Sequence, residues 1–145
     1  MFKHLLLPTD GSVASEQAIR RALELAKEGQ ARVTGMHVIQ PFHLISYDVE
    51  MVEETRASYE ANVRARAQKF LDEMERRAKE LGVEAASRIV VDAHPYEAII
   101  KTAQDLGCDL IVMASHGRRG VQAVLIGSET QKVLTHSKIP VLVLR

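Results

Sequence analysis

Asp109–Gln131 reads DLIVMASHGRRGVQAVLIGSETQ, and its two halves decide what kind of fold the chain can have. The run Asp109 to Ala114 is apolar without alternation, the pattern of a strand covered on both faces in a parallel sheet. It breaks at Ser115, His116 and Gly117, which frees backbone N–H groups at the strand's carboxyl edge. Past nine intervening residues, Gly127 and Ser128 open a helix. The first N–H groups of a helix have no partner within it, and its dipole favours an anion at that end. Gly117 and Gly127 let backbone approach a ligand with no Cβ in the way. Two sets of donors joined by one loop therefore read as a cradle for a phosphate or polyphosphate.

Working outward, Pro140–Leu144 (PVLVL) is a final strand. Upstream, Pro95 suits the first turn of a helix that ends at Leu106-Gly107, and Glu84 to Val91 reads as a third strand. A long helix is expected from about Val49 to Leu81. Tyr59, Val63, Ala67, Phe70, Leu71, Met74, Ala78 and Leu81 share one of its faces, and Gly82 stops it. Pro41 to Tyr47 is a loop, and Arg32 to Ile39 a second strand. His4 to Pro8 (HLLLP) is the first strand, ending at Thr9-Asp10-Gly11. Ser12 or Ser15 caps the helix that follows, where Ala18, Ile19, Ala22, Leu23 and Ala26 form a stripe and Gly29 marks the stop. Strands alternating with helices predict one doubly wound, Rossmann-like α/β domain over residues 1–145, with helices on both faces of a parallel sheet.

Composition sets wider bounds. The chain has 145 residues, enough for one domain with a real core. Lys plus Arg (19) equals Asp plus Glu (19), so no global field favours nucleic acid or an anionic membrane. No apolar run approaches the ~20 residues of a membrane span, and the start MFKHLLLPTDGS lacks the apolar length and cleavage site of a signal peptide. A cytoplasmic protein is the expectation. The single Cys108 allows no internal disulfide and no cysteine-built zinc site, and is expected to pack beside the fourth strand.

Parallel sheets of this kind bind ligands outside the carboxyl ends of their strands, where strand order reverses. If the first and fourth strands are neighbours, Pro8-Thr9-Asp10 and Ala114-Ser115-His116 flank one crevice. Asp10 can accept hydrogen bonds from a ribose or an exocyclic amine there. Backbone around Val38, at the end of the second strand, can meet a flat base edge.

PTDGS after the first strand, HVI ending the second, and SHG followed after nine residues by GS together resemble the universal stress protein family, over essentially the whole chain. The resemblance implies a five-stranded sheet of order 3-2-1-4-5, dimers through the last strand, Val141 to Leu144, and a division into ATP binders and non-binders. It implies roles for Pro8, Thr9 and Asp10 around the nucleoside and for Val38 as a backbone contact to adenine. Ser115, His116, Gly117, Gly127, Ser128 and Glu129 fall around the phosphates and ribose. The binders' pattern is Gly, two residues, Gly, nine residues, Gly and Ser or Thr; Ala114 stands at its first glycine, which adds a Cβ beside the phosphates. Ala93 stands where relatives often have glycine before the proline-led helix.

Several of these features have a second reading. Ser128 to Gln131 also forms a capping box, which a helix uses with no ligand present. Asp10 suits a helix cap or its own turn. Glu129 is already a favourable partner for the helix dipole, so it competes with an incoming anion. Arg118 and Arg119 lie on the cradle loop, either reaching a phosphate tail or simply solvated.

The search for catalysis comes back thin. The six histidines lack any paired spacing such as HExxH, so no metal site is expected. Ser115 and His116 are adjacent and in extended chain point to opposite sides, a poor nucleophile and base pair. No Walker sequence, GxGxxG turn or receiver-like acid cluster is present. Three functions remain open: an ATP-binding dimeric regulatory module with an unidentified protein partner, a stress-related interaction protein that binds no nucleotide, and a slow ATP hydrolase whose Mg²⁺ arrives with the nucleotide.

Overall fold

In a computed structural model, whose described residues are 1–41, 49–116 and 126–145, with the side chains of 49–55 also set aside, strands and helices alternate as the sequence predicts. The strands are β1 (His4–Pro8), β2 (Arg32–Ile39), β3 (Ala85–Val91), β4 (Leu110–Ala114) and β5 (Val141–Leu144). The helices are α1 (Val13–Gly29), α2 (Val49–Leu81), α3 (Pro95–Asp105) and α4 (Ser128–His136). Three strands start one residue later than expected, at Ala85, Leu110 and Val141. All pairings are parallel and the order is β3-β2-β1-β4-β5. None of the described helices is long and apolar enough to cross a membrane.

The strand period of two sorts β1 between two cores. Leu5 and Leu7 join Ile19, Leu23, Val33 and Met74 beneath α1 and α2. Leu6, between them, joins Met36, Ile99, Ile111 and Val133 beneath α3 and α4. Each fully buried Leu side chain is worth about 1.5–3 kcal/mol of apolar burial, so three consecutive leucines anchor both layers. Cys108 packs in the second core beside β4 as expected, and burial first, then Asp109, pushes its thiol up to about 11.

Two local details depart from the sequence reading. The helix α1 stops at Gly29 as read, but its left-handed cap is the next residue: Gln30 sits at φ 53° and donates its N–H to the Ala26 and Lys27 carbonyls. The apolar stripe of α2 is buried only from Ala67 onward, through Leu71, Met74 and Ala78, while Tyr59 is exposed. On the buried half, Arg77 ties α2 to α1 through Glu16 at 2.9 Å, and Arg76 with Arg77 holds the Glu73 carboxyl down to about 2.

Candidate functional site

Because β1 lies between β2 and β4, the chain leaves β1 for α1 on one face of the sheet and β4 for α4 on the other. That divergence is the strand-order reversal where such sheets open a crevice. Among the described residues two segments form its rim: the turn from Pro8 to Ser15 and the corner made by Ala114–His116 and Gly127–Thr130.

The turn is held from three elements. Thr9 donates its N–H to the Met36 carbonyl at 2.8 Å. The Thr9 carbonyl lies 2.7 Å from Nδ1 of His37; a carbonyl only accepts, so Nδ1 carries the proton. The Thr9 hydroxyl accepts from the Ser15 hydroxyl at 2.7 Å and from the Gly11 N–H at 3.1 Å. Asp10 Oδ1 accepts the Ser12 N–H at 2.9 Å, a local Asx turn, and Ser12 caps α1 by accepting the Ser15 N–H at 3.2 Å. Gly11 sits at φ +76°, and a Cβ there would lie 2.0 Å from Cε2 of Phe70, so the α2 ring occupies the room a side chain would need. Phe70 in turn meets His37 edge-on, with ring centroids 6.4 Å apart. Thr9 is therefore buried, with both its oxygens engaged by protein.

The corner brings the two cradle segments together. Gly127 donates its N–H to the Ser115 carbonyl at 2.6 Å, and a Cβ on Gly127 would come within 3.3 Å of the His116 Cα. The Thr130 hydroxyl donates to the Ala114 carbonyl at 3.0 Å, and the Ser115 N–H to the Leu144 carbonyl at 2.8 Å. Gly127 is itself the N-cap of α4, so Ser128 lies one position inside the helix and the expected Ser128–Gln131 capping box does not form. The first rung of α4 is Gln131 N–H to Gly127 O at 2.9 Å, which puts the N–H groups of Ser128, Glu129 and Thr130 ahead of the ladder. Ser115 Oγ lies 3.0 Å from His116 Nδ1, although neighbours in extended chain should diverge; the strand has ended at Ala114, and the period of two with it.

Glu129 turns toward α3. Its Oε2 accepts the Tyr96 N–H at 3.0 Å and its Oε1 pairs with Lys132 at 3.3 Å. The N-cap of α3, His94, supplies no side-chain cap, so the Glu129 carboxylate serves the starts of both helices. The Lys132 ammonium also lies 5.5 Å over the Tyr96 ring, whose hydroxyl donates to Glu97 at 2.9 Å; that bond, more than burial, raises the Tyr96 pKa.

The remaining expected residues are distributed unevenly. Val38, on β2, is half-buried against the α3 and α4 core, and Pro8 ends β1 beside Met36. Gly117, Arg118 and Arg119, and residues 42–47 of the Pro41–Tyr47 loop, lie outside the described residues. Among the described residues no group of three His, Cys, Asp or Glu side chains is arranged to hold a metal ion. The sequence places Phe70 in the long helix's apolar stripe and Ser15 among the cap candidates, and it gives neither of them, nor His37, a part in the site. The period of two could have found His37, since it puts residue 37 on the face opposite Val38.

Comparison with known proteins gives a consistent picture. The model of the universal stress protein family matches residues 1–145. Universal stress protein MJ0577 of Methanocaldococcus jannaschii is 29% identical, with 100% of this chain and 96% of that protein covered. A solved structure of MJ0577 superposes with a TM-score of 0.85 at 30% identity, over 99% of this chain and 96% of that one. Universal stress protein YxiE of Bacillus subtilis is 32% identical, with 100% of both chains covered. A universal stress protein solved in complex with cAMP superposes with a TM-score of 0.71 at 26% identity, over 99% of this chain and 97% of that one.

Proposed function

The chain belongs to the universal stress protein family, and we propose on that premise that it is a dimeric regulatory module that binds a nucleotide, ATP first, in the crevice between β1 and β4. The observation that carries the reading is the bond from Gly127 N–H to Ser115 O, which joins two remote segments at the sheet's carboxyl edge. Pro8, Thr9, Asp10 and the Val38 backbone face the nucleoside in this reading. Ala114, Ser115, His116, Gly117, Gly127, Ser128 and Glu129 form the phosphate side.

The donor set suits an anion. The N–H groups of Ser128, Glu129 and Thr130 open α4 with the positive end of its dipole. Gly127 and Thr9 serve as framework, because their polar groups already bond to protein. Any Mg²⁺ arrives with the nucleotide and supplies charge neutralisation of its phosphates. The cAMP complex of the 26% identical relative supports an adenine nucleotide as the ligand. Occupancy acts on a partner only through differential affinity for two states of the loops around the crevice.

Dimerisation through β5 belongs to the same reading, as does residence in the cytoplasm. β5 is an edge strand whose four residues, Val141 to Leu144, are all half-buried, so a two-fold mate would cover both its apolar side chains and its unpaired edge. The test is a calorimetric titration of nucleotide-free protein with ATP, ADP and AMP. Saturable heat that is lost in Asp10→Ala supports the proposal; no heat with any of the three overturns it and leaves the nucleotide-free interaction protein. Sedimentation of Val143→Lys checks the dimer, which should dissociate.

A further inference from the structure

The turn that carries Asp10 is braced from behind. β2 presents consecutive residues to opposite faces of the sheet, so His37 looks toward α2 while Val38 looks toward α3 and α4. His37 uses its position to hold the Thr9 carbonyl, which accepts from Nδ1 at 2.7 Å. A trans peptide is planar, with its C=O and N–H pointing opposite ways, and no peptide among the described residues is cis. Pinning the Thr9 carbonyl toward α2 therefore turns the Asp10 N–H away from His37.

We propose that His37 is a positioning residue for nucleotide: it pins the Thr9–Asp10 peptide from the α2 face and so aims the Asp10 N–H and the start of the Asx turn at the Val38 side, where the nucleoside binds. The proposal rests on the nucleotide reading above. Phe70 completes the brace, backing the His37 ring and filling the space beside Gly11. The turn is thereby set before any ligand arrives, which lowers the ordering cost of binding.

The experiment compares the wild-type chain with His37→Phe and His37→Asn. Phe keeps the ring and loses the donor; Asn loses the ring and returns an N–H where Nδ1 stood. ATP affinity, read by titration, should fall about tenfold in His37→Phe, the scale of one lost hydrogen bond, and recover in His37→Asn. Amide hydrogen exchange supplies a readout that needs no ligand. The Gly11 and Ser12 N–H groups are protected only while the turn holds, so both should exchange about tenfold faster in His37→Phe. The Ile111 and Val112 amides in β4 should keep their rates, as a check on the fold. Should His37→Phe not fold, His37→Gln takes its place, since its amide reaches the Nε2 position and not Nδ1. Wild-type affinity in the Phe variant, or unchanged exchange at Gly11 and Ser12, overturns the proposal while the nucleotide reading stands. If the wild-type chain binds no nucleotide, that reading falls with the ligand half of this one, and the exchange rates still decide whether His37 braces the turn.

Discussion

The two sides of the crevice are built on different principles. The turn from Pro8 to Ser15 is held by other elements: β2 through Met36 and His37, α1 through Ser15, and α2 through Phe70. The corner made by Ala114–His116 and Gly127–Thr130 is closed by bonds between its own two segments, Gly127 to Ser115 and Thr130 to Ala114, with Ser115 also bonded to β5 and Glu129 to α3. A turn clamped by three elements resists change at any one atom that fits and fails sharply at one that does not. A corner closed on itself loses a little at each bond removed.

The largest expected effect follows from that difference. Gly11→Ala must place a side chain at φ +76° and into the Phe70 ring, and should cost about 2–4 kcal/mol in urea unfolding, combining left-handed strain with overpacking. Gly11→Ala with Phe70→Leu should recover the packing share and leave the backbone share. An additive double variant would mean that the ring is not what the turn leans on. At the corner, Thr130→Val keeps the shape and removes the hydroxyl that serves the Ala114 carbonyl, for an expected loss of about 1 kcal/mol by the same measurement.

Smaller still should be Gly127→Ala, at less than about 1 kcal/mol. Its φ of −57° suits alanine, and the contacts at 3.3 and 3.4 Å to His116 and Ser115 need only a slight shift. If Gly127→Ala destabilises more than Gly11→Ala, the comparison between turn and corner is reversed.

The smallest effect uses the far end of β1 as a reference outside the crevice. His4 is buried, with Nε2 2.8 Å from the Thr34 hydroxyl, and burial, then the Arg32 charge, lowers its pKa below the ordinary 6.5. A lowered folded value means that the unfolded chain takes the proton first on acidification. The stability contributed by neutral His4 is thus complete above about pH 6.5 and is lost as pH falls through the folded value. His4→Gln retains a donor near Nε2 and does not titrate. Its stability should drop less than that of the wild-type chain between pH 7.5 and 5, and parallel curves would refute the assignment.

The architecture was legible because it rests on periodicity. Apolar runs without alternation marked parallel strands, the α1 stripe of Ala18, Ile19, Ala22, Leu23 and Ala26 is buried as read, and Gly82 and Gly107 follow α2 and α3 at φ +74° and +67°. Local chemistry was less legible wherever two neighbouring residues could fill the same role. Gly29 closes α1 as read, yet Gln30 beside it takes the left-handed cap, and Gly127 takes the cap expected of Ser128. Least legible were contacts across the fold. His37 meets a carbonyl 28 positions away, and Glu129 a backbone N–H 33 positions away; no local pattern announces either. The sequence could say that Glu129 favours a helix start, but not that it would serve a second one.

The length of α2 has a consequence of its own. Its 33 residues span about 50 Å at 1.5 Å each, against roughly 26 Å for the eight residues of β2 that it crosses. Residues 56–62 are all exposed, whereas burial begins at Ala67. The cooperative unit of the domain thus stops part-way along a single helix. Over residues 56–62 the helix is supported in part by pairs along its own surface such as Arg56 with Glu60, so one continuous rod runs from a solvent-facing stretch into the folded core.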